Sequence, residues 1–209
     1  MPNKIDLTIG KTAKVMVDGP EDPEQVWMVL HGYGQLAQFF IRKFRNSAHR
    51  VRIIAPEGFH RFYLEGHSGR VGASWMTREE RLTDIEDYVA YLDLVWKTMV
   101  LPAGLPTAAI GFSQGVATLM RWINQSNFTP DQVVAWGGTF PPDLSTNLKP
   151  ERFRDSKLFL AFGEEDELVT PEAGSIFQNE LRRQGLQPEV IPFTGGHELD
   201  ETILMNILL

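Results

Sequence analysis

Two hydrophobic rhythms alternate along this 209-residue chain. Short continuous apolar runs, too brief for helices, occur at Val26-Trp27-Met28-Val29-Leu30, at Val51 to Ala55, at Ala108-Ala109-Ile110, and within residues 132–136, 158–162 and 189–192. Runs of this kind, bounded by Gly, Pro and polar residues, predict strands buried on both faces of a parallel sheet. Between them, apolar positions recur at three and four. Ile85, Val89, Leu92, Val95, Trp96 and Met99 form one such stripe, and Val116, Leu119, Met120 and Ile123 form another. Further helices are expected in the aromatic-rich segment up to residue 44, over residues 171–184, and from about Leu199 onward. Strands alternating with helices of this length predict an α/β fold, a mostly parallel central sheet with helices on both faces. The length fits a single domain over residues 1–209, large enough to bury about 70% of its unfolded surface.

Two stretches depart from these rhythms. Residues 5–9 and 13–17 alternate as paired strands would, with Gly10-Lys11 between them, and predict a hairpin. Residues 57–75 follow neither period and combine glycines with Phe59, Arg61, Phe62, Tyr63, Arg70 and Trp75. A long irregular loop inside a compact domain is usually functional. Just beyond it, Thr77-x-x-Glu80 and Thr83-x-x-Glu86 both read as capping boxes for the helix that follows.

Composition narrows the chemistry. With 20 Lys and Arg against 27 Asp and Glu, the net charge is −7 and no basic block is present, which argues against a nucleic-acid partner. The absence of cysteine excludes disulfides, thiolate metal sites and a cysteine nucleophile. No signal peptide is visible and no apolar run approaches the ~20 residues of a membrane span. A cytoplasmic protein without a metal is the expectation. The sequons at Asn124 and Asn127 are then without consequence.

The segment Gly111-Phe112-Ser113-Gln114-Gly115 joins an expected strand to an expected helix. Such a G-x-S-x-G turn holds its central residue in a strained conformation and presents the hydroxyl at the strand's C-terminal end, beside the helix N-terminus. Ser113 is therefore the candidate nucleophile, and it needs a base and an acid downstream. His197, in Gly195-Gly196-His197-Glu198 after the last strand, has the location and chain order of the base. The acid lies among Glu164, Glu165, Asp166 and Glu167. Asp166 is favoured because Leu168 and Val169 should fold inward just after it, leaving Asp166 partly buried and the glutamates in solvent. Asp143, one strand earlier, is the alternative. An oxyanion would need two backbone N–H groups, and Gln114 and Tyr33 are placed to supply them. The same turn, Gly32-Tyr33-Gly34-Gln35-Leu36-Ala37 with Glu57 further on, also fits the G-x-G-x-x-A dinucleotide fingerprint. A nicotinamide-dependent oxidoreductase is therefore the rival, although it leaves the later motifs unexplained.

With these motifs in view, the chain resembles the phospholipase/carboxylesterase family of α/β-hydrolases, the group that includes acyl-protein thioesterases. The resemblance rests on LHGYG (30–34), GFSQG (111–115), the G-x-x-D-x-x-V spacing of Gly163, Asp166 and Val169, and GGHE (195–198). It implies an α/β-hydrolase fold without a separate lid domain, a Ser113–Asp166–His197 triad, oxyanion amides at Tyr33 and Gln114, and no cofactor. The expected activity is that of a serine carboxylesterase on small-to-medium esters or thioesters. Acyl-protein thioesterase or lysophospholipase-type activity is the nearest alternative, and a non-catalytic ligand-binding protein of the same fold a more distant one. Phe59, Phe62, Tyr63 and Trp75 are the expected apolar wall for the substrate, with Arg61 and Arg70 available to a polar end. Oligomeric state and acyl length have no signal in the residues.

Overall fold

A computed structural model describes residues 3–209. Its centre is a seven-stranded sheet built from β1 (Val15–Asp18), β2 (Gln25–Leu30), β3 (Val51–Pro56), β6 (Thr107–Phe112), β7 (Gln132–Trp136), β8 (Lys157–Gly163) and β9 (Glu189–Phe193). Their order across the sheet is β1-β3-β2-β6-β7-β8-β9. All neighbours run parallel except β1, which pairs antiparallel with β3. Two further strands, β4 (His60–Tyr63) and β5 (Val71–Ser74), form a separate antiparallel pair.

The strands read as apolar runs because both faces are covered. Val26, Met28 and Leu30 of β2 enter one core, while Trp27 and Val29 enter the other. The first core is closed by α2 (Arg81–Val95), α3 (Gln114–Gln125) and α4 (Pro171–Arg183), through residues such as Leu92, Leu119 and Phe177. The second is closed by α1 (Ala37–Phe40) and α5 (Glu201–Leu208), through Phe40 and Leu204. A period of two along each strand thus feeds two separate apolar layers. The α2 stripe continues past Val95 through a π-helical turn at Trp96–Val100, where Trp96 packs on Trp122 with ring centroids 5.1 Å apart.

Register brings the strand ends level. Leu30 pairs with Gly111, Phe112 with Trp136, and Gly163 with Phe193. The loops after β2, β6, β7, β8 and β9 therefore emerge along one edge, the edge where ligands bind in parallel α/β sheets.

Three sequence expectations require correction. The hairpin at residues 5–17 does not form. Ile5, Leu7 and Ile9 are exposed, and β1 instead joins the main sheet beside β3. Residues 57–75 are not irregular but contain the β4–β5 ribbon. It is fastened to the turn after β2 by a bridge between Gln35 and Ala73 and by the Gly34 N–H donated to the Ala73 carbonyl (2.9 Å). Neither capping box is made. Helix α2 begins after Glu80, which sits in the left-handed region (φ 51°) and makes no side-chain cap. The Thr77 N–H is taken by Asp84, and Thr83 lies inside the helix.

Candidate active site

The elbow is held by contacts that leave no room for larger neighbours. A Cβ on Gly111 would lie 2.5 Å from the Gly115 carbonyl oxygen, and one on Gly115 would lie 2.3 Å from that of Leu30. Only glycine lets β6 and α3 pack this closely on each other and on β2. Between them Ser113 adopts φ 54°, ψ −117°, one of two positive-φ non-glycine residues among those described. Such strain costs on the order of 1–3 kcal/mol and persists where the surroundings over-determine it. Here the Ser113 N–H donates to the Trp136 carbonyl and its own carbonyl accepts from Val116, both at 2.9 Å.

The hydroxyl of Ser113 lies 2.9 Å from His197 Nε2, and His197 Nδ1 lies 2.8 Å from Asp166 Oδ2. The Asp166 side chain is 1% exposed. Its other oxygen accepts the backbone N–H groups of Leu168 (2.8 Å) and Val169 (2.9 Å). Burial on its own would raise the Asp166 pKa; the hydrogen bonds from His197 and from those two amides outweigh it and hold the carboxyl below its ordinary value. An ionised Asp166 accepts a proton-bearing Nδ1, so the lone pair of Nε2 faces Ser113. The two loops are joined by backbone bonds, Glu164 to Phe193 (2.9 Å) and Glu165 to Gly195 (3.0 Å). The imidazole leans on Phe112, with ring centroids 5.0 Å apart.

Among the acidic residues of this loop, Glu164, Glu165 and Glu167 are exposed and Asp166 is buried. The local reason differs from the expected one. Val169 turns inward, but Leu168 is 74% exposed and stands over the site. What buries Asp166 is its hold on two amides, a turn that the carboxylate itself closes. Asp143 lies elsewhere. It accepts from Arg121 (2.7 and 2.9 Å) and Arg81 (3.0 Å), and the Arg121 guanidinium, offset in part by burial, brings its pKa down to about 2.

The turn after β2 abuts the nucleophile, since a Cβ on Gly32 would fall 3.1 Å from Ser113 Cβ. Buried His31 shapes it. Its Nδ1 lies 2.8 Å from the Gly32 carbonyl, its Nε2 accepts the Gly58 N–H (3.0 Å), and its ring stacks on Trp75. Burial lowers its pKa, in keeping with a neutral ring that donates on one side and accepts on the other. The Gln114 side chain spans to the far wall, accepting from Trp75 N–H (3.2 Å) and donating to the Met76 carbonyl (3.2 Å). Among the described residues, no acceptor in the protein engages the backbone N–H of Tyr33 or Gln114. The dinucleotide reading of this turn has a structural answer. Glu57 is buried and accepts the Ala37 N–H (3.1 Å) while pairing with Arg61. A carboxylate therefore occupies the helix start that a pyrophosphate would need.

None of the four aromatic residues expected to wall a pocket lines either cavity along this edge. Trp75 is 1% exposed and donates to the His31 carbonyl (2.8 Å), and Phe59 packs on Tyr91 against the core. Phe62 stacks on exposed Tyr33, and Tyr63 is half exposed on the ribbon. Two cavities lie along this edge. One of about 250 Å3 is lined by Ser113, Ala117, Gly138, Thr139, Leu168 and His197. A second, of about 460 Å3, begins at Gln35 and runs between Leu36, Phe39 and Phe40 on one wall and Leu64 and Val71 on the other. The second was not anticipated. Its only trace in the sequence is that apolar residues 36, 39 and 40 exceed what one buried face requires. Among the described residues no group of three His, Asp or Glu side chains is arranged to hold a metal ion, and no helix is long and apolar enough to cross a membrane.

Solved structures share this architecture. Esterase PE8 superposes with a TM-score of 0.70 at 20% identity, covering 95% of this chain and 99% of that one. Acyl-protein thioesterase 2 of Zea mays gives 0.75 at 17% identity, with 94% and 96% covered. SOBER1 of Arabidopsis thaliana gives 0.65 at 18% identity, with 88% and 95% covered. These identities speak for the fold alone, and no curated protein matches the chain by sequence. The phospholipase/carboxylesterase family model, in contrast, matches residues 12–208. Nearly the whole chain is spanned by that match, and the protein belongs to the phospholipase/carboxylesterase family of α/β-hydrolases.

Proposed function

We propose that the protein hydrolyses small-to-medium carboxylic esters or thioesters by acyl transfer through Ser113. The observation that carries this reading is the unbroken hydrogen-bond series from Ser113 Oγ through His197 to buried Asp166, at the ligand-binding edge of the sheet. Ser113 Oγ attacks the acyl carbon while His197 Nε2 takes its proton, and Asp166 stabilises the imidazolium without being protonated itself. The developing oxyanion is received by the free N–H groups of Tyr33 and Gln114, each donor being worth about 10²–10³ in kcat. The bond to the leaving oxygen or sulfur then breaks as His197 returns the proton to it. Water repeats the sequence on the acyl-enzyme, releasing the acid and restoring Ser113.

Nitrophenyl esters and matched thioesters test the reaction. Both should be turned over, and Ser113→Ala should lower kcat by about 10⁶. Binding of an ester without turnover by the intact protein would mean a non-catalytic ligand-binding role instead. The ratio of thioester to oxygen-ester rates separates the carboxylesterase reading from a thioesterase one.

A further inference from the structure

Resting on the esterase reading, we infer that the preferred acyl group is an apolar chain carrying a carboxylate at its far end, seated in the groove between α1 and the β4–β5 ribbon. The groove is joined to the reaction centre through Gln35. Its Oε1 accepts the Gly32 N–H (2.9 Å), and Gly32 is the residue that abuts Ser113. From Gln35 outward both walls are apolar, and Phe39 and Leu64 remain 54% and 39% exposed. Two large apolar side chains of the lining thus face solvent, available to an apolar ligand.

Charge decides what kind of chain fits. The groove is lined by two ionised side chains, Lys43 and Arg70, and both are cations. No carboxylate lines it, although acidic residues outnumber basic ones in the chain as a whole. Among the described residues Lys43 has no ion-pair partner, and Arg70 makes a 3.5 Å contact with Glu65 in which both side chains are more than four-fifths exposed. The two cations come from different walls, α1's continuation and the ribbon. An anion between them would replace weak solvent contacts by two opposed charges. A neutral acyl chain would use the walls and leave Lys43 without a counter-ion and Arg70 with only its exposed contact to Glu65.

The test compares nitrophenyl monoesters of dicarboxylic acids, six to ten carbons long, with the same compounds methyl-esterified at the far carboxyl. Wild type should favour the free carboxylate in kcat/KM by about fivefold at low salt, the scale of two solvent-exposed charge contacts, and the ratio should shrink as ionic strength rises. Lys43→Glu combined with Arg70→Glu should reverse the preference. Lys97→Glu combined with Lys157→Glu, matched in charge but remote, should retain the wild-type ratio. Equal or faster turnover of the methyl-capped substrates by wild type would overturn the inference, as would a ratio untouched by the Lys43 and Arg70 changes. Both outcomes leave the esterase reading standing. If nitrophenyl acetate and every longer ester are inert, the esterase reading itself fails and this inference with it.

Discussion

Replacing Asp166 by Asn separates orientation of the histidine from stability of the loop. Asp166 makes three hydrogen bonds: one oxygen takes the amides of Leu168 and Val169, and the other takes His197. In Asp166→Asn the amide oxygen can still accept both backbone N–H groups, so the turn persists. The NH₂ group then faces Nδ1 and favours the tautomer with its proton on Nε2, pointing at Ser113. A base in that state cannot take the serine proton, and kcat should fall on the order of 10⁴. Asp166→Ala removes the acceptor altogether and strands two amides, at about 1–3 kcal/mol for each that water does not reach. Its melting temperature should therefore fall below that of Asp166→Asn while both remain inactive. The lowered Asp166 pKa adds an acid signature. Its stabilisation is present above the unfolded carboxyl value of about 3.9 and is lost as pH falls through the lower folded value, so Asp166→Asn should flatten the acid limb of stability. Steady-state kinetics on a nitrophenyl ester, with thermal melts at pH 7 and in acid, checks all of this. An Asp166→Asn enzyme within tenfold of wild type would refute the reasoning. So would an equal kinetic loss from Glu164→Gln, Glu165→Gln or Glu167→Gln.

Other substitutions divide along the same line. Asp143→Asn leaves the buried Arg121 guanidinium under-paired and should cost about 1–3 kcal/mol in a denaturant melt, with kcat within about tenfold. Because the Asp143 pKa lies at about 2, its contribution is complete above about pH 4 and lost as pH falls toward 2, so the variant's deficit should narrow in acid. Trp75→Ala empties a fully buried site and should destabilise by about 3–5 kcal/mol, measured by denaturant unfolding. Leu64→Ala and Phe39→Ala, on the groove walls, should instead shift acyl-length preference, each contact being worth about 1–3 kcal/mol between homologues. Gly72→Ala would place a Cβ 2.4 Å from the Gly34 carbonyl oxygen and push on the turn that carries Tyr33, so kcat should fall well ahead of ester binding.

The features legible in the residues are those decided locally. A continuous apolar run must be covered on both faces, and a strand turning at once into a helix needs glycine where β6, α3 and β2 touch. Those demands make the parallel sheet and the place of Ser113 at the elbow legible. Features decided by distant partners are not. The β4–β5 ribbon depends on bonds to Gly34 and Gln35, more than 30 residues away, and its own residues lack clean alternation. The edge strand β1 was obscured because residues 5–9 carry the same period without a sheet to join. Trp75 resembled a pocket wall by its neighbours in sequence, but its indole N–H finds the His31 carbonyl in the core. Asp166 is the buried one of the four acids, but the sequence argument for its burial is only partly right, since its own carboxylate, and not an inward Leu168, closes the turn.

In the proposed chemistry Ser113 Oγ is the atom that bonds to the acyl carbon, and a mechanism-based label tests that most directly. A fluorophosphonate that reacts with activated serines should modify the protein at one residue, with the adduct mapped by mass spectrometry to the peptide containing Ser113. Prior acylation with a nitrophenyl ester should delay it. His197→Ala should slow the labelling by orders of magnitude, because the hydroxyl then has no base at 2.9 Å. An adduct on another residue, or undiminished labelling without His197, would contradict the proposed chemistry.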